Sequence, residues 1–395
     1  MNQREIGELR RRLKPERNAI SKIYGCYVNS NKQVISYLDS SLGIMPQDEA
    51  EKYLTLLRRT LTGQLQKNLI DIVFTTRQVA DSEEHKLLSD LRQTGLKDEE
   101  LRRHFYDTVI QSLDMDDRNY LILLAHDTYD VPYRGKDGDD QTDASDQVYS
   151  YILCAICPVK DSKAELGYFP GENEFHSRSA GQVVAPPELG FLFPAFDNRA
   201  ANLYNALYYT KQTDLIHQEF IDALFRTEPP MSADEQKATF HTALAESLEG
   251  ECSMDVVRTV HQQLRDKLIL HKESRDPEPP SISPREVDAI LHSCGVEEEK
   301  VKTFHRRCAD QFGEDAPLNP NNLINSGRFE IKTEHASLVV DPDYSYLVET
   351  RKINGRTFLL LPVDDGMEVN GLAVDVRTVG DGAISPGQSP EPSSL

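Results

Sequence analysis

The sequence predicts an α+β fold in three parts: an α/β front with a central, mainly antiparallel sheet, a helical middle and a small C-terminal β module. Three observations support this prediction. Apolar runs of strand length dominate the first half of the chain, segments with apolar residues at helical spacing follow, and alternating runs joined by Asn-Gly dipeptides fill the last part. With 395 residues, the chain is long enough for two or three domains.

Charge is the unusual feature of the composition. The chain has 65 acidic and 44 basic residues, a formal net charge of -21, and such a charge repels nucleic acid and anionic membranes at long range. No apolar run is long enough to span a bilayer, so we expect no membrane partner. The opening segment has charges but no apolar core of a secretion signal, and the 6 cysteines are scattered, so we expect a cytoplasmic protein without a disulfide framework.

Residues 1–198 are predicted to form the α/β domain with the central sheet. Its first helix covers Arg4–Leu13 and stops before Pro15. Four further elements are predicted in order: a strand in KIYGCYV, a helix in QDEAEKYLTLLRRTLTG, a strand in LIDIVF and a helix in DEELRRHFYDTVIQSL.

The centre of the chain is predicted to be rich in strands. NYLILLAHDTYDVP and QVYSYILCAICPV are expected to pair across an acidic, glycine-bearing loop. Shorter strands in LGYF, EFHSRS, QVVAP and GFLFPAF are expected to extend the same sheet. A helix is then predicted in RAANLYNALYYTK, with Asp197 or Asn198 as its N-cap.

The second half divides by composition. Its predicted parts are a helical region at 199–273, a proline-rich linker at 274–283, a helical pair at 284–327, a C-terminal β module at 328–379 and a disordered tail at 380–395. Ser232 and Glu235 predict a capping box at one helix start. Asn354-Gly355 and Asn370-Gly371 each predict a tight hairpin turn.

Cys154 and Cys157 form the one close cysteine pair, and a Cys-x-x-Cys motif raises a redox or metal role. Such a motif needs both sulfurs on the same side of a turn. Apolar and aromatic residues precede this pair and favour a strand, where residues three apart point to opposite faces. We therefore expect two buried thiols of a core strand, facing opposite sides.

His126, Asp127 and Asp130 are the candidate catalytic residues. A His-Asp cluster can hold a divalent metal for hydrolysis, and this alternative is the one under which we expect a metal cofactor; otherwise we expect none. No second histidine or carboxylate cluster can be tied to these residues from the sequence. A satisfied histidine at a strand end with solvated aspartates is the competing interpretation.

The acidic loop from Asp137 to Asp146 raises the question of calcium. A calcium loop needs glycine at its sixth position and glutamate at its twelfth. Counted from Asp137 these positions hold Thr142 and Val148, so the motif does not fit. A solvated loop is favoured, and weak cation binding stays open.

Five basic residues lie near the start of the chain and are the candidate nucleic-acid-binding residues. They are Arg10, Arg11, Arg12, Lys14 and Arg17. Such a cluster can contact phosphates. It equally fits the solvated face of a docked helix that forms salt bridges with an acidic body.

Several long stretches of the chain resemble a known family. They include ISKIYGCYV, LRRTLTGQLQKNL, YLILLAHDTYDVP, DASDQVYSYILCAICPVK, GFLFPAFDNRAANLYNALYYTK and LVETRKINGRTFLLLPVDDGMEVNG. These stretches are similar to the bacterial family called domain of unknown function 4317. They run in order from about Arg4 to Val376. The family's name assigns no activity, so the resemblance implies no catalytic residue.

The order of parts also resembles a family of nucleoid-associated proteins, which implies a structural or nucleic-acid-associated role. Layout alone does not fix function. The first functional hypothesis is a non-enzymatic protein that binds a macromolecule, with nucleic acid or nucleoid as the finer expectation and homo-oligomerisation left open. The alternative is a metal-dependent hydrolase that uses the His-Asp cluster.

Overall fold

A computed structural model describes residues 1–134, 140–228, 230–363 and 366–374. The chain divides into two compact units, Met1–Ser326 and a second unit that begins at Gly327.

The first unit contains the α-helices α1 to α11 and the strands β1 to β12, and the second unit contains a short 3-10 helix, Pro342–Leu347. The helices are α1 (Gln3–Arg12), α2 (Gln47–Arg59), α3 (Thr76–Asp81), α4 (Glu83–Gln93), α5 (Glu99–Ser112), α6 (Gln218–Phe225), α7 (Ala233–Leu248), α8 (Met254–Ser274), α9 (Pro284–Ser293), α10 (Glu298–Phe312) and α11 (Pro320–Leu323). The strands are β1 (Lys22–Val28), β2 (Val34–Ser41), β3 (Leu69–Val73), β4 (Tyr120–Arg134), β5 (Asp140–Ser162), β6 (Glu165–Phe169), β7 (Glu174–Arg178), β8 (Gly181–Val184), β9 (Leu189–Phe193), β10 (Ala195–Asp197), β11 (Ala200–Asn202) and β12 (Asn205–Thr210).

A large antiparallel sheet organises this unit. Its strand order is β2-β1-β4-β5-β9-β12-β3, and β8 pairs with β5 beside this path. The predicted pairing of β4 with β5 holds along most of both strands, with Leu124 opposite Cys154. The α+β fold with a central antiparallel sheet is therefore confirmed.

Both faces of the sheet are buried by helices, because successive side chains of a strand point to opposite sides. One face, here called the α5 face, packs against α4, α5 and α6 through residues such as Leu88, Phe105 and Phe220. The other, here called the α2 face, packs against α1 and α2 through residues such as Leu9 and Leu57. The result is three layers, with the sheet in the middle.

The prediction of a helix in RAANLYNALYYTK, with Asp197 or Asn198 as its N-cap, is wrong. This segment forms β11 and β12, and β12 lies between β9 and β3 in the sheet. Ala206 and Tyr208 point into the α5 face while Leu207 and Tyr209 point into the α2 face. A strand buried on both faces has a continuous apolar run, and such a run has no alternation to separate it from a buried helix.

The short strands expected to extend the sheet do so only in part. Strand β9 joins its centre and β8 pairs with β5. Strands β6 and β7 instead form a separate two-stranded hairpin, with Tyr168 opposite Phe175. The sequence predicted these two strands but not their separation from the sheet.

The helices α7 to α11 surround a core of their own. Phe240, Leu264 and Phe304 lie at its centre. The predicted capping box is confirmed, because the Ser232 side chain accepts from the Glu235 backbone and the Glu235 side chain accepts from the Ser232 backbone. None of the described helices is long and apolar enough to cross a membrane.

The second unit contains short hairpins. Its strands are β13 (Phe329–Lys332), β14 (Ser337–Val340), β15 (Glu349–Ile353), β16 (Arg356–Leu360), β17 (Met367–Val369) and β18 (Leu372–Val374). Both predicted Asn-Gly turns are confirmed: Asn354-Gly355 joins β15 to β16 and Asn370-Gly371 joins β17 to β18, with positive φ at all four residues. The predicted tail at 380–395 lies outside the described residues.

Candidate functional site

The three candidate catalytic residues do not converge. Asp127 shares the α2 face with its neighbours Ala125 and Tyr129, so His126 and Asp130 point to the opposite side of β4. Asp130 is exposed, whereas the Asp127 side chain is only 1% exposed. Within the described residues, no group of three or more His, Cys, Asp or Glu side chains could hold a metal ion. These residues therefore do not supply the ligand set that the hydrolase hypothesis needs.

Asp127 is instead the acceptor of a buried hydrogen-bond network. Its carboxylate accepts from Arg12 Nη2 at 3.2 Å, from the Tyr151 hydroxyl at 2.7 Å and from the backbone amides of Ala19 and Thr128 at 2.8 and 2.9 Å. A buried carboxylate needs such donors. The network ties α1 and the segment after it to β4 and β5, so it has a structural role.

His126 is paired with a serine and not with a carboxylate. Its Nε2 lies 2.8 Å from Ser150 Oγ on the neighbouring strand. Burial lowers the pKa of His126, an effect that the nearby Asp127 opposes and Arg92 reinforces. A neutral, hydrogen-bonded ring matches the interpretation of a satisfied histidine on a strand.

The two cysteines point to opposite faces of the sheet, as predicted. Cys154 packs in the core of the α5 face and Cys157 in the core of the α2 face. Burial raises the pKa of Cys157 to about 12 and that of Cys154 well above its ordinary value. Two protonated thiols on opposite sides of a strand cannot act as a redox pair.

The N-terminal basic residues are divided between two roles. The guanidinium of Arg12 pairs with Asp127 and lies 4.1 Å from the centre of the Tyr129 ring, while Arg10 is half-buried. Arg11, Lys14 and Arg17 are exposed and form no ion pair within the described residues. The structure therefore shows a docked helix with one structural arginine. The three exposed residues, Arg11, Lys14 and Arg17, are here called the basic ridge.

The side chains of the acidic loop from Asp137 to Asp146 lie outside the described part of the structure.

The β6–β7 hairpin presents an apolar surface that the sequence analysis missed. In the register of the two strands, Leu166, Tyr168 and Phe175 lie on one side, and the rings of Tyr168 and Phe175 are 5.1 Å apart. These three side chains, here called the hairpin face, are 73%, 48% and 66% exposed. The spacing of two between Leu166 and Tyr168 is a signal of this face, but the sequence alone does not show that the face is left uncovered.

A groove of ≈ 750 Å³ lies between α2 and β8, the strand that follows the β6–β7 hairpin in the sequence. Its apolar lining is formed by Tyr53, Leu56, Val183, Val184 and Pro186. This volume is within the range of ligand-binding clefts. The lining residues of α2 and β8 lie far apart in sequence, so sequence patterns give no signal for this groove.

A family model described as Domain of unknown function (DUF4317) matches residues 1–372. A search of curated proteins found no match.

Proposed function

We propose that this chain, which belongs to the DUF4317 family, is a non-enzymatic protein that binds another macromolecule, and that this partner is a protein. The hairpin face is the observation that carries the proposal. Its three large apolar side chains, one leucine and two aromatic residues, are exposed together on one small sheet.

Contiguous exposed apolar surface is the usual mark of a protein interaction site in a soluble protein. Aromatic side chains are also enriched at the centres of such interfaces. A two-stranded hairpin with an uncovered apolar face is marginal by itself in water and is stabilised when another surface covers it. Together these properties support a protein partner.

The test is velocity sedimentation of the fluorescently labelled chain in an extract of its own cells. We expect the wild type to sediment in a complex. Treatment of the extract with protease, inactivated before the labelled chain is added, should abolish this complex, and treatment of the extract with nuclease should not. The variant with Leu166→Ser and Phe175→Ser should sediment as the free chain. A complex of equal size for both proteins would contradict the proposal, and a complex that forms in buffer without extract would identify the partner as a second copy.

Nucleic acid is the second candidate partner, favoured by the exposed basic ridge of Arg11, Lys14 and Arg17. The net charge of -21 opposes it. Gel-shift titration at low and moderate salt should show no difference between the wild type and a variant with these three residues changed to glutamine. A shift that this variant loses, and that a control variant with Lys272, Lys302 and Arg306 changed to glutamine keeps, would support a nucleoid or nucleic-acid role.

Protein binding through the hairpin face requires neither a cofactor nor a metal. We propose that this binding takes place in the cytoplasm. The residues of the hairpin face are not among the hydrogen-bond partners of Asp127, so the proposed binding surface is distinct from this buried network.

A further inference from the structure

The groove between α2 and β8 has a charge pattern as well as an apolar lining. Val183 and Val184 of β8 are 51% and 37% exposed, although both are large apolar residues. On the α2 side the lining includes the carboxylates of Asp48, Glu49 and Glu51. An apolar lining with a carboxylate rim is complementary to a segment that carries both apolar and basic residues.

The rim is not neutralised within the described part of the chain. Lys52 approaches Asp48 at 4.0 Å, one turn along the same helix, while Glu49 and Glu51 are exposed and have no ion pair there. Arg59 also lines the groove, but it is the last residue of α2, whereas these acids lie near the start of the helix. The N-terminal half of α2 therefore offers two unpaired negative charges beside the apolar lining.

Strand β8 also has an unused edge. It pairs with β5 from Val159 to Ser162, and no second strand pairs with it in the described residues. All four of its residues are exposed. An edge strand with free backbone groups can accept another extended segment, with alternate side chains of that segment entering neighbouring pockets.

The chain's own charge disfavours a second copy as the occupant. Two chains of net charge -21 repel each other, and each would bring the same carboxylate rim to the contact. A basic segment of another protein meets the rim with attraction instead.

We infer that the α2–β8 groove binds an extended, basic segment of a protein partner, which adds to the free edge of β8, places apolar side chains on Val183 and Val184 and places lysine or arginine side chains near Glu49 and Glu51. This inference rests on the proposed function only in taking the partner to be a protein. It assigns that partner a chemical class and the groove a binding mode.

The test is fluorescence anisotropy of the full chain with two labelled probe peptides, Lys-Lys-Val-Val-Val-Lys-Lys and Glu-Glu-Val-Val-Val-Glu-Glu, in which each side of the extended peptide carries both valine and charged side chains. The wild type should bind the lysine peptide at least about tenfold more tightly than the glutamate peptide, and added salt should weaken this binding. The variant with Glu49→Gln and Glu51→Gln should bind the lysine peptide about tenfold more weakly than the wild type. Methylation of the backbone nitrogens of the three valines should also weaken binding, because strand addition needs those donors.

A matched control separates the rim from the overall charge. Glu100→Gln with Asp107→Asn removes the same number of exposed carboxylates from α5, on the other side of the sheet. This control should bind the lysine peptide within about twofold of the wild type. The inference is overturned if the rim variant binds like the control, if the wild type binds neither peptide or both equally, or if methylation has no effect.

These outcomes are independent of the hairpin face. Peptide binding in the groove together with an unchanged sedimentation complex for the hairpin variant would refute the proposed hairpin surface and leave the groove inference standing. The reverse result would refute the groove and leave the hairpin surface standing.

Discussion

The guanidinium of Arg12 lies 3.2 Å from the carboxylate of Asp127, and these two residues are 115 positions apart in the sequence. Asp127→Asn removes the only negative charge of this buried pair and leaves Arg12 without its counter-ion. We expect the free energy of unfolding, measured by urea denaturation, to fall by roughly 3 to 5 kcal/mol.

Asp130→Asn is the matched control for this substitution. Asp130 lies on the same strand but is exposed, and such surface substitutions change stability by about 0.5 kcal/mol or less. Equal stabilities for the two variants would show that the Arg12–Asp127 pair does not anchor α1.

Gly190 lies on β9 opposite Ala155 of β5, and a side chain at this position has no room. A Cβ atom at this position would meet the carbonyl oxygen of Cys154 and lie 2.7 Å from Cγ2 of Thr60. Gly190→Ala should therefore destabilise the sheet by roughly 1 to 3 kcal/mol in thermal or urea unfolding. Gly43→Ala, where nothing lies within 4 Å of the added atom, should leave stability unchanged or slightly raised; a Gly190 variant as stable as this control would contradict the close packing.

Cys154 and Cys157 should be inert in the folded protein. With the pKa of Cys157 raised to about 12 and that of Cys154 also raised, almost no thiolate exists at pH 8 for either residue. Titration with a disulfide reagent should modify Cys252, which is exposed, and modify the pair only after unfolding. Modification of the pair in the native protein, mapped by mass spectrometry in a Cys252→Ser variant, would reopen a redox role.

His126 should make stability depend on pH. Burial lowers its pKa in the folded state below the ordinary value of 6.5, so the unfolded chain binds the proton more readily. The stabilising effect of the neutral ring is present above pH 6.5 and is lost as the pH falls through 6.5 toward the folded pKa. His217, His241 and His261 shift in the same direction.

We therefore expect the free energy of unfolding to decrease between pH 7 and pH 5. The decrease should be smaller for His126→Gln, which keeps a partner for Ser150 but cannot titrate in this range. Denaturation curves at pH 7, 6 and 5 for both proteins measure this difference, and parallel curves would exclude His126 as a contributor.

The sequence predicted those elements whose local pattern was decisive. Periodic apolar residues predicted α2 and α5, the Ser232–Glu235 capping box predicted the start of α7, and the two Asn-Gly dipeptides predicted two hairpins. In each case the residues that determine the element lie next to one another in the chain.

Features that depend on distant partners were not predictable in this way. NALYYT is a strand because β9 and β3 flank it, although its apolar run also fits a helix. The role of Asp127 depends on Arg12, and the hairpin face depends on the high exposure of Leu166, Tyr168 and Phe175 in the described part of the chain. Tertiary contacts decide such features, and a single sequence does not state them.

Site-specific photo-cross-linking in cells that produce the chain tests the central claim most directly. A benzophenone amino acid placed at Phe175, in the hairpin face, should give an adduct with a second polypeptide upon irradiation. The same probe at Tyr204, an exposed aromatic position outside the hairpin, should not. The account predicts a discrete protein adduct at Phe175 alone; no adduct, the same adducts at both positions, or an adduct that nuclease removes would contradict protein binding through this face.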